Sequence, residues 1–278
     1  MPTKNKKLSK KDKVLNELFR YCQKKNNPVF DNRLVKTVSK KFGFVNPFDA
    51  TKLDNKNKLS ILLLHNNVAI IHLGKGRHRF IKGIDKVFHD FEPIQTIIDW
   101  PYKKSVLNQF NSSESNILSV TNNQRILHHF VFETDREFED TDISKRPKTY
   151  FPHRTKTSFK YNFGQAIEQQ FDGIQIEIDL TIEFKGIIGL FEAKNGIPGN
   201  FSVYQIYHPF LYYHNARQRP EIADKIRKII CTYVVRNSTK GIDTISLWAY
   251  TFKNPLDITS IDFIKSSAYR LINQKEKV

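Results

Sequence analysis

The segment from Gly173 to Lys194, GIQIEIDLTIEFKGIIGLFEAK, constrains the fold more than any other part of the chain. Ile174, Ile176, Ile178, Leu180 and Ile182 alternate strictly with Gln175, Glu177, Asp179, Thr181 and Glu183. A period of two is the signature of a half-buried β-strand. Phe184, Lys185 and Gly186 supply a tight turn and Ile187 to Lys194 forms a second apolar run, so the pattern predicts an antiparallel hairpin. On the second strand Glu192 and Lys194 share a face with Ile188 and Leu190, and that face turns charged only at its end. In a register centred on Lys185, Asp179 lies opposite Glu192 or one residue from it. Charges at an otherwise buried end require partners, because burying an isolated charge is costly.

Two carboxylates converging from neighbouring strands suit a hard cation such as Mg²⁺, with the carbonyl of Ala193 as a third oxygen and water in the remaining positions. The ammonium of Lys194 could orient or deprotonate one of those waters. A metal there would lower the water's pKa and polarise a phosphoryl oxygen, which makes Asp179, Glu192 and Lys194 a phosphodiester-cleaving constellation. The alternative for the same three residues is an ion-pair cluster at a sheet edge.

This arrangement resembles the PD-(D/E)xK nuclease superfamily, in which an acidic residue on one strand is followed, after a turn, by Glu-x-Lys on the next. Asp179, Glu192 and Lys194 match that motif, although Ile178 stands where the superfamily has proline. A helix expected over residues 201–217 carries Gln205, which would support the lysine or contact phosphate. With QIEIDLTIEF, FEAKNG and FSVYQIYHPFLYY, the chain looks like a group of bacterial type II restriction endonucleases. The resemblance implies a mixed sheet flanked by helices, Mg²⁺ with Mn²⁺ as a substitute, double-stranded DNA as substrate and a homodimer, since a palindrome is cut by two sites related by a two-fold axis. It also implies a further metal ligand. Glu168, expected on a short helix over residues 165–171, and Glu177, on the face of Asp179, are the candidates. The aromatics Tyr204, Tyr207, Phe210, Tyr212 and Tyr213 recur at helical spacing, as core packing or as base-stacking groups; His208 and His214 read as packed or exposed.

The charge is unevenly spread. Of a net +17, residues 1–82 carry 20 basic and 5 acidic side chains, or +15, which leaves 25 basic and 23 acidic residues, or +2, for the rest. Such a basic segment attracts polyanions with salt-dependent affinity, nucleic acid being the natural partner, with a solubilising face or attraction to an anionic membrane as alternatives. Val14, Leu15, Leu18, Phe19 and Cys22 follow helical spacing. A second short helix carries Leu34, Val35, Val38 and Phe42, with Arg33, Lys36, Lys40 and Lys41 on its other side. Runs at 61–64 and 68–73, joined by an Asn-Asn turn, read as a hairpin followed by a basic tip with Lys75, Arg77 and Arg79. Helices followed by a basic hairpin resemble a winged helix-turn-helix, whose recognition helix enters the major groove while the wing touches phosphates.

The expected organisation is therefore α/β (α+β): a basic winged-helix-like DNA-binding domain over 1–85, a connecting region of helices and loops over 86–150, and a PD-(D/E)xK restriction-endonuclease-like core over 151–278. Within the core a helix is expected from Pro220 to Lys228, strands at 229–235 and 244–252, and a closing helix over 258–272. The acidic run Glu133, Asp135, Glu137, Glu139, Asp140 and Asp142 lacks ordered ligand spacing and reads as a solvated loop. No apolar run approaches the roughly 20 residues of a membrane span, and no apolar stretch follows the charged N-terminus as in a secretory signal. Cys22 and Cys231 alone build neither a disulfide framework nor a zinc site, which fits a reducing cytoplasm, and the resemblance implies a bacterial one. Two other functions remain open at this level: a structure-specific or repair nuclease using the same triad, and a winged-helix DNA-binding regulator without activity.

Overall fold

A computed structural model describes residues 8–102, 105, 113–133, 145–151, 153–164, 168–196, 199–239 and 242–273. The N-terminal half runs α1 (Lys10–Lys24), β1 (Val29–Asp31), α2 (Asn32–Lys41), α3 (Pro47–Thr51), α4 (Ile61–His65), β2 (Val68–Gly74) and β3 (Arg77–Lys82). The two long helices of this half, α1 and α2, start on side-chain caps that satisfy backbone N–H groups left without partners at a helix end. Ser9 and Asp12 form a reciprocal capping box for α1, and Asp31 accepts from the amides of Arg33 and Leu34 at α2. The three strands form an antiparallel sheet in the order β1-β3-β2.

The expected hairpin lies one element later in the chain. Residues 61–65 are helical, because Ser60 caps them through the Leu63 amide and leucine is a good helix former. The hairpin is β2–β3, turned by Gly74, Lys75 and Gly76, all with positive φ.

The second half continues with β4 (Phe88–Asp90), β5 (Thr96–Tyr102), α5 (Glu114–Asn123), α6 (Ile126–Phe132), β6 (Lys148–Tyr150), β7 (His153–Asn162), β8 (Glu168–Ile178), β9 (Leu180–Phe184), β10 (Ile187–Asn195), β11 (Asn200–Ser202), α7 (Tyr204–Ala216), β12 (Lys228–Thr239), β13 (Ile242–Phe252) and β14 (Ile261–Asn273). The fold is mixed α and β, built on a seven-stranded mixed sheet in the order β5-β14-β13-β12-β10-β9-β6. Strand β10 is parallel to β12, with α7 in the connection, and β14 is parallel to β5; the other pairs are antiparallel. One sheet face packs on α5 and α6, through Phe191, Ala193, Val234 and Leu247. The other packs on α7 and on the N-terminal half, through Ile188, Leu190, Cys231 and Tyr233, in one core that also holds Val14, Leu18 and Ile70. Both cysteines are free and buried. Among the described residues no helix is long and apolar enough to cross a membrane.

Four further expectations are corrected. Residues 86–150 contain β4 and β5 as well as helices. Residues 219–225 form successive turns instead of a helix, and residues 168–171 begin β8. The closing segment is strand β14, inserted between β13 and β5 and buried on both faces over residues 266–269. Its register shifts opposite Ala249 and Tyr250, and that bulge breaks the period of two and imitates helical spacing. Of the acidic run, Asp135, Glu137, Glu139, Asp140 and Asp142 lie outside the described residues.

The alternating segment is two strands. Strand β8 pairs with β7 in a separate ribbon, and β9 pairs with β10 in the sheet. Ile174, Ile176 and Ile178 point into the core shared with the N-terminal half, whereas Leu180 and Ile182 point into the core under α5 and α6. The chain therefore turns over at Asp179. The β2–β3 hairpin lies against β8 so closely that a Cβ added at Gly74 would sit 1.9 Å from the carbonyl oxygen of Asp172. Gly74→Ala would meet both that collision and a φ of 84°. It is expected to lower the unfolding free energy by roughly 2–3 kcal/mol, as an overpacked site does, measured by chemical denaturation; an unchanged midpoint would show that the hairpin is not held against β8.

Candidate active site

The turnover at Asp179 and the end of β10 bring the charged residues of the hairpin together. The β9–β10 register pairs Leu180 with Phe191, which sets Asp179 beside the segment that carries Glu192. Asp179 Oδ2 accepts from the Ala193 amide at 3.3 Å. Glu192 Oε1 accepts from Lys194 Nζ at 2.6 Å and from Gln205 Nε2, in the first turn of α7, at 3.0 Å. The buried Tyr233 hydroxyl on β12 donates to Gln205 Oε1 at 3.0 Å, which turns the amide so that its NH₂ faces Glu192. A third carboxylate arrives from the opposite layer: Glu114, the first residue of α5, lies 3.7 Å from Lys194 Nζ.

Burial pushes the Glu192 carboxyl up to about 7, and the charges of Asp179 and Glu114 add to this against the opposing pull of Lys194. Asp179 is raised as well, first by burial and then by Glu114 and Glu177, although the Ala193 amide and Lys194 hold it back. For Lys194 burial works against the ammonium, yet Glu192, Glu114 and Asp179 outweigh it and hold its pKa above the usual value. The lysine thus keeps its proton at neutral pH. Of its two expected roles, orienting a water or an anionic oxygen suits this state, and deprotonating a water does not.

The donor set suits a hard cation. Asp179 and Glu192 offer carboxylate oxygens whose negative charge is under-compensated, which a divalent ion would relieve. Among the described residues no group of three or more His, Cys, Asp or Glu side chains is assembled closely enough to enclose a metal. Water would fill the remaining positions, as is usual for Mg²⁺.

The other expected site residues fall as follows. Ala193 engages Asp179 through its amide, with its methyl group buried under α5 and α6. Glu168 stands at the exposed start of β8, paired with Lys160 at 2.9 Å, and does not line the cavity at the cluster. Glu177 lines the rim of that cavity and pairs with Arg154 across the ribbon. The aromatics of α7 are mostly core, as Tyr207 and Phe210 show, and buried His208 bonds the Tyr161 hydroxyl at 2.8 Å. Glu114 and Tyr233 were not foreseen. No spacing rule joins them to Glu192, and the only local signal is the cap at Ser113 that starts α5 beside Glu114.

The basic residues of the N-terminal half do not gather at the cluster. Arg33, Lys36 and Lys40 are exposed on α2, Lys41 pairs with Glu17, and Lys75 is exposed at the hairpin turn. Arg77 and Arg79, expected at a free tip, turn back onto β8 to bond Asp172 at 2.8 Å and Gln169 at 3.1 Å. Lys52 and Asp54, from the segment after α3, instead reach the cavity over Glu192.

Residues 83–270 match a family model described as a domain of unknown function, DUF6997, and residues 10–80 match a second one, DUF6996. No curated protein and no solved structure matches the chain.

The raised carboxyl of Glu192 fixes the sign of a pH effect. Between the ordinary value of 4.5 and about 7 the folded protein holds a proton that the unfolded chain has released, so stability falls as pH rises through that window. The expected loss from this group is on the order of 3 kcal/mol. Glu192→Gln should flatten the decline in denaturation midpoint between pH 5 and 8, and an unaltered slope in that variant would exclude Glu192 as its source.

Proposed function

We propose that this chain, which belongs to the DUF6997 family, is a Mg²⁺-dependent endonuclease that hydrolyses phosphodiester bonds in double-stranded DNA, in the manner of type II restriction endonucleases of the PD-(D/E)xK superfamily. The observation that carries this reading is the meeting of Asp179, Glu192 and Lys194 at one end of the β9–β10 hairpin, with Gln205 bonded to Glu192. Asp179 and Glu192 would hold the metal, and Glu114, near Lys194, rather than Glu168 or Glu177, is the helical carboxylate beside the site. When bound, Mg²⁺ supplies a water of lowered pKa and polarises the phosphoryl oxygens. Lys194 keeps its proton and orients the attacking water or a phosphate oxygen. Gln205, itself fixed by Tyr233, holds the Glu192 carboxylate in place.

The element order of the N-terminal half, with β3 between β1 and β2 and four helices ahead of the hairpin, supports a winged-helix reading. In that reading α2 presents Arg33, Lys36 and Lys40 to DNA, and Lys75 at the hairpin turn reaches a phosphate. Arg77 and Arg79 hold the hairpin on β8 instead. A homodimer would place one such site on each strand of a palindrome, and a bacterial cytoplasm is the setting that the restriction reading implies.

The test is incubation of unmethylated phage DNA with the protein in Mg²⁺ or Mn²⁺. Discrete fragments are expected. A smear or branch-dependent cutting would point to a repair nuclease, and binding without cutting to a regulator. Asp179→Ala and Lys194→Ala should each slow cleavage by on the order of a hundredfold or more, as removal of a transition-state contact does, with DNA affinity retained in a gel-shift assay; undiminished cutting by either variant would overturn the assignment. Mg²⁺ should also raise the melting temperature of the wild type more than that of Asp179→Ala. Lys40→Ala is expected to lower the slope of log affinity against log salt by about one, and an unchanged slope would remove α2 from the DNA-binding surface.

A further inference from the structure

The cavity over the cluster is larger than hydrolysis of a backbone phosphate requires. It encloses about 560 Å³, and its charged side holds Asp179, Glu192 and Lys194. From there it runs back along β8 to Ile174, five residues from Asp179 and so about 16 Å along a strand. That far part is walled by Ile174 and Ile176 on one side, Ile70 and His72 from β2 on another, and the rings of Tyr204 and His208 from α7. Those two rings lie one helical turn apart, with centroids at 5.1 Å. Two polar groups in the wall already have partners within the protein. His72 Nε2 bonds the Thr51 carbonyl at 3.0 Å and its Nδ1 contacts His78 at 2.9 Å, while His208 Nε2 meets the Tyr161 hydroxyl. The far end therefore offers apolar surface, the rings of Tyr204 and His208, and a buried Tyr204 hydroxyl without a hydrogen-bond partner among the described residues, beside a centre suited to phosphate.

A solute that spans both ends is ionic at one and flat and apolar at the other. A nucleotide is such a solute, whereas a deoxyribose-phosphate backbone left in a stacked duplex has nothing to place among Ile70, Ile174 and Tyr204. On the phosphodiester reading above, we propose that this cavity takes up the base of the nucleotide next to the scissile phosphate, turned out of the stack. Tyr204 and His208 provide the stacking surface, and the isoleucines exclude water from the other face. Apolar and aromatic contacts of this kind accept any base, because every base has a π-face. The N-terminal half contributes through Ile70 and His72, so the cavity is complete only with both halves in place.

Extruding a base costs a few kcal/mol, and the cost is smallest where the base is already unpaired. The test reads binding in EDTA, where no cleavage occurs. A duplex recovered from a random pool by its affinity for the full chain is remade as a series, each member with a single mismatch at one position. One position should bind at least about tenfold tighter when mismatched, since an unpairing cost above 1.4 kcal/mol is removed there. Ile174→Phe, which fills the cavity, should abolish that gain, so that the favoured position binds no better mismatched than matched. Tyr204→Leu, which removes a stacking ring, serves as the second variant should the first fail to fold. Affinity that no mismatch improves overturns the base site, as does a gain that survives in the folded variants. The wild type's failure to cut in Mg²⁺ or Mn²⁺ would instead count against the nuclease reading, which this binding series does not measure.

Discussion

Asp179 occupies the point where the chain leaves a two-stranded ribbon and enters the main sheet, and much of the molecule's arrangement follows from that step. Upstream, the isoleucines of β8 fill the core shared with the N-terminal half; downstream, Leu180 and Ile182 fill the core under α5 and α6. A strand that changes sheets must release its backbone pairing at the crossing. Here the Asp179 side chain meets the Ala193 amide, and that contact ties the crossing to the end of β10. The acid is thus held by topology, next to a glutamate held by strand parity and a lysine two residues beyond it.

That placement leaves an unbalanced cluster. Three carboxylates lie about one ammonium, and burial, with their repulsion adding to it, raises the pKa values of Asp179 and Glu192. A purely structural ion pair is generally balanced by its partners, because stranded buried charge costs stability. Gln205 and Tyr233 spend further polar contacts on fixing Glu192 in one orientation. Such investment at an unfavourable site is common where groups are tuned for chemistry.

The strand parity of Glu192, Lys194, Ile188 and Leu190 was legible in the sequence, because period two assigns faces without tertiary knowledge. The hairpin turn at Lys185 and Gly186, helix α7 with Gln205 and the helices α1 and α2 were equally legible, since caps, turns and apolar spacing are local. What could not be read arises from long-range pairing. Strand β14 is a strand only because β5 and β13 flank it, and its bulge disguises the alternation. The short run at 61–65 is apolar enough for either state, and the cap at Ser60 decided it. Glu114 joined the site from 78 residues before Glu192 through layer packing that no spacing announces. The hairpin arginines were assigned outward because their partners on β8 lie 90 and 95 residues away.

The continuous core has a mechanical consequence. Val14 and Ile70 of the basic half and Tyr233 and Leu190 of the sheet belong to a single cluster, so no hinge separates the two regions matched by different family models. Under the proposed activity, the span from the α2 surface to the carboxylates acts as a ruler cut into the fold. A polyanion gripped at one end is offered to the other at a constant offset, and the lengths of overhang produced would be a property of protein geometry, insensitive to flexing between modules.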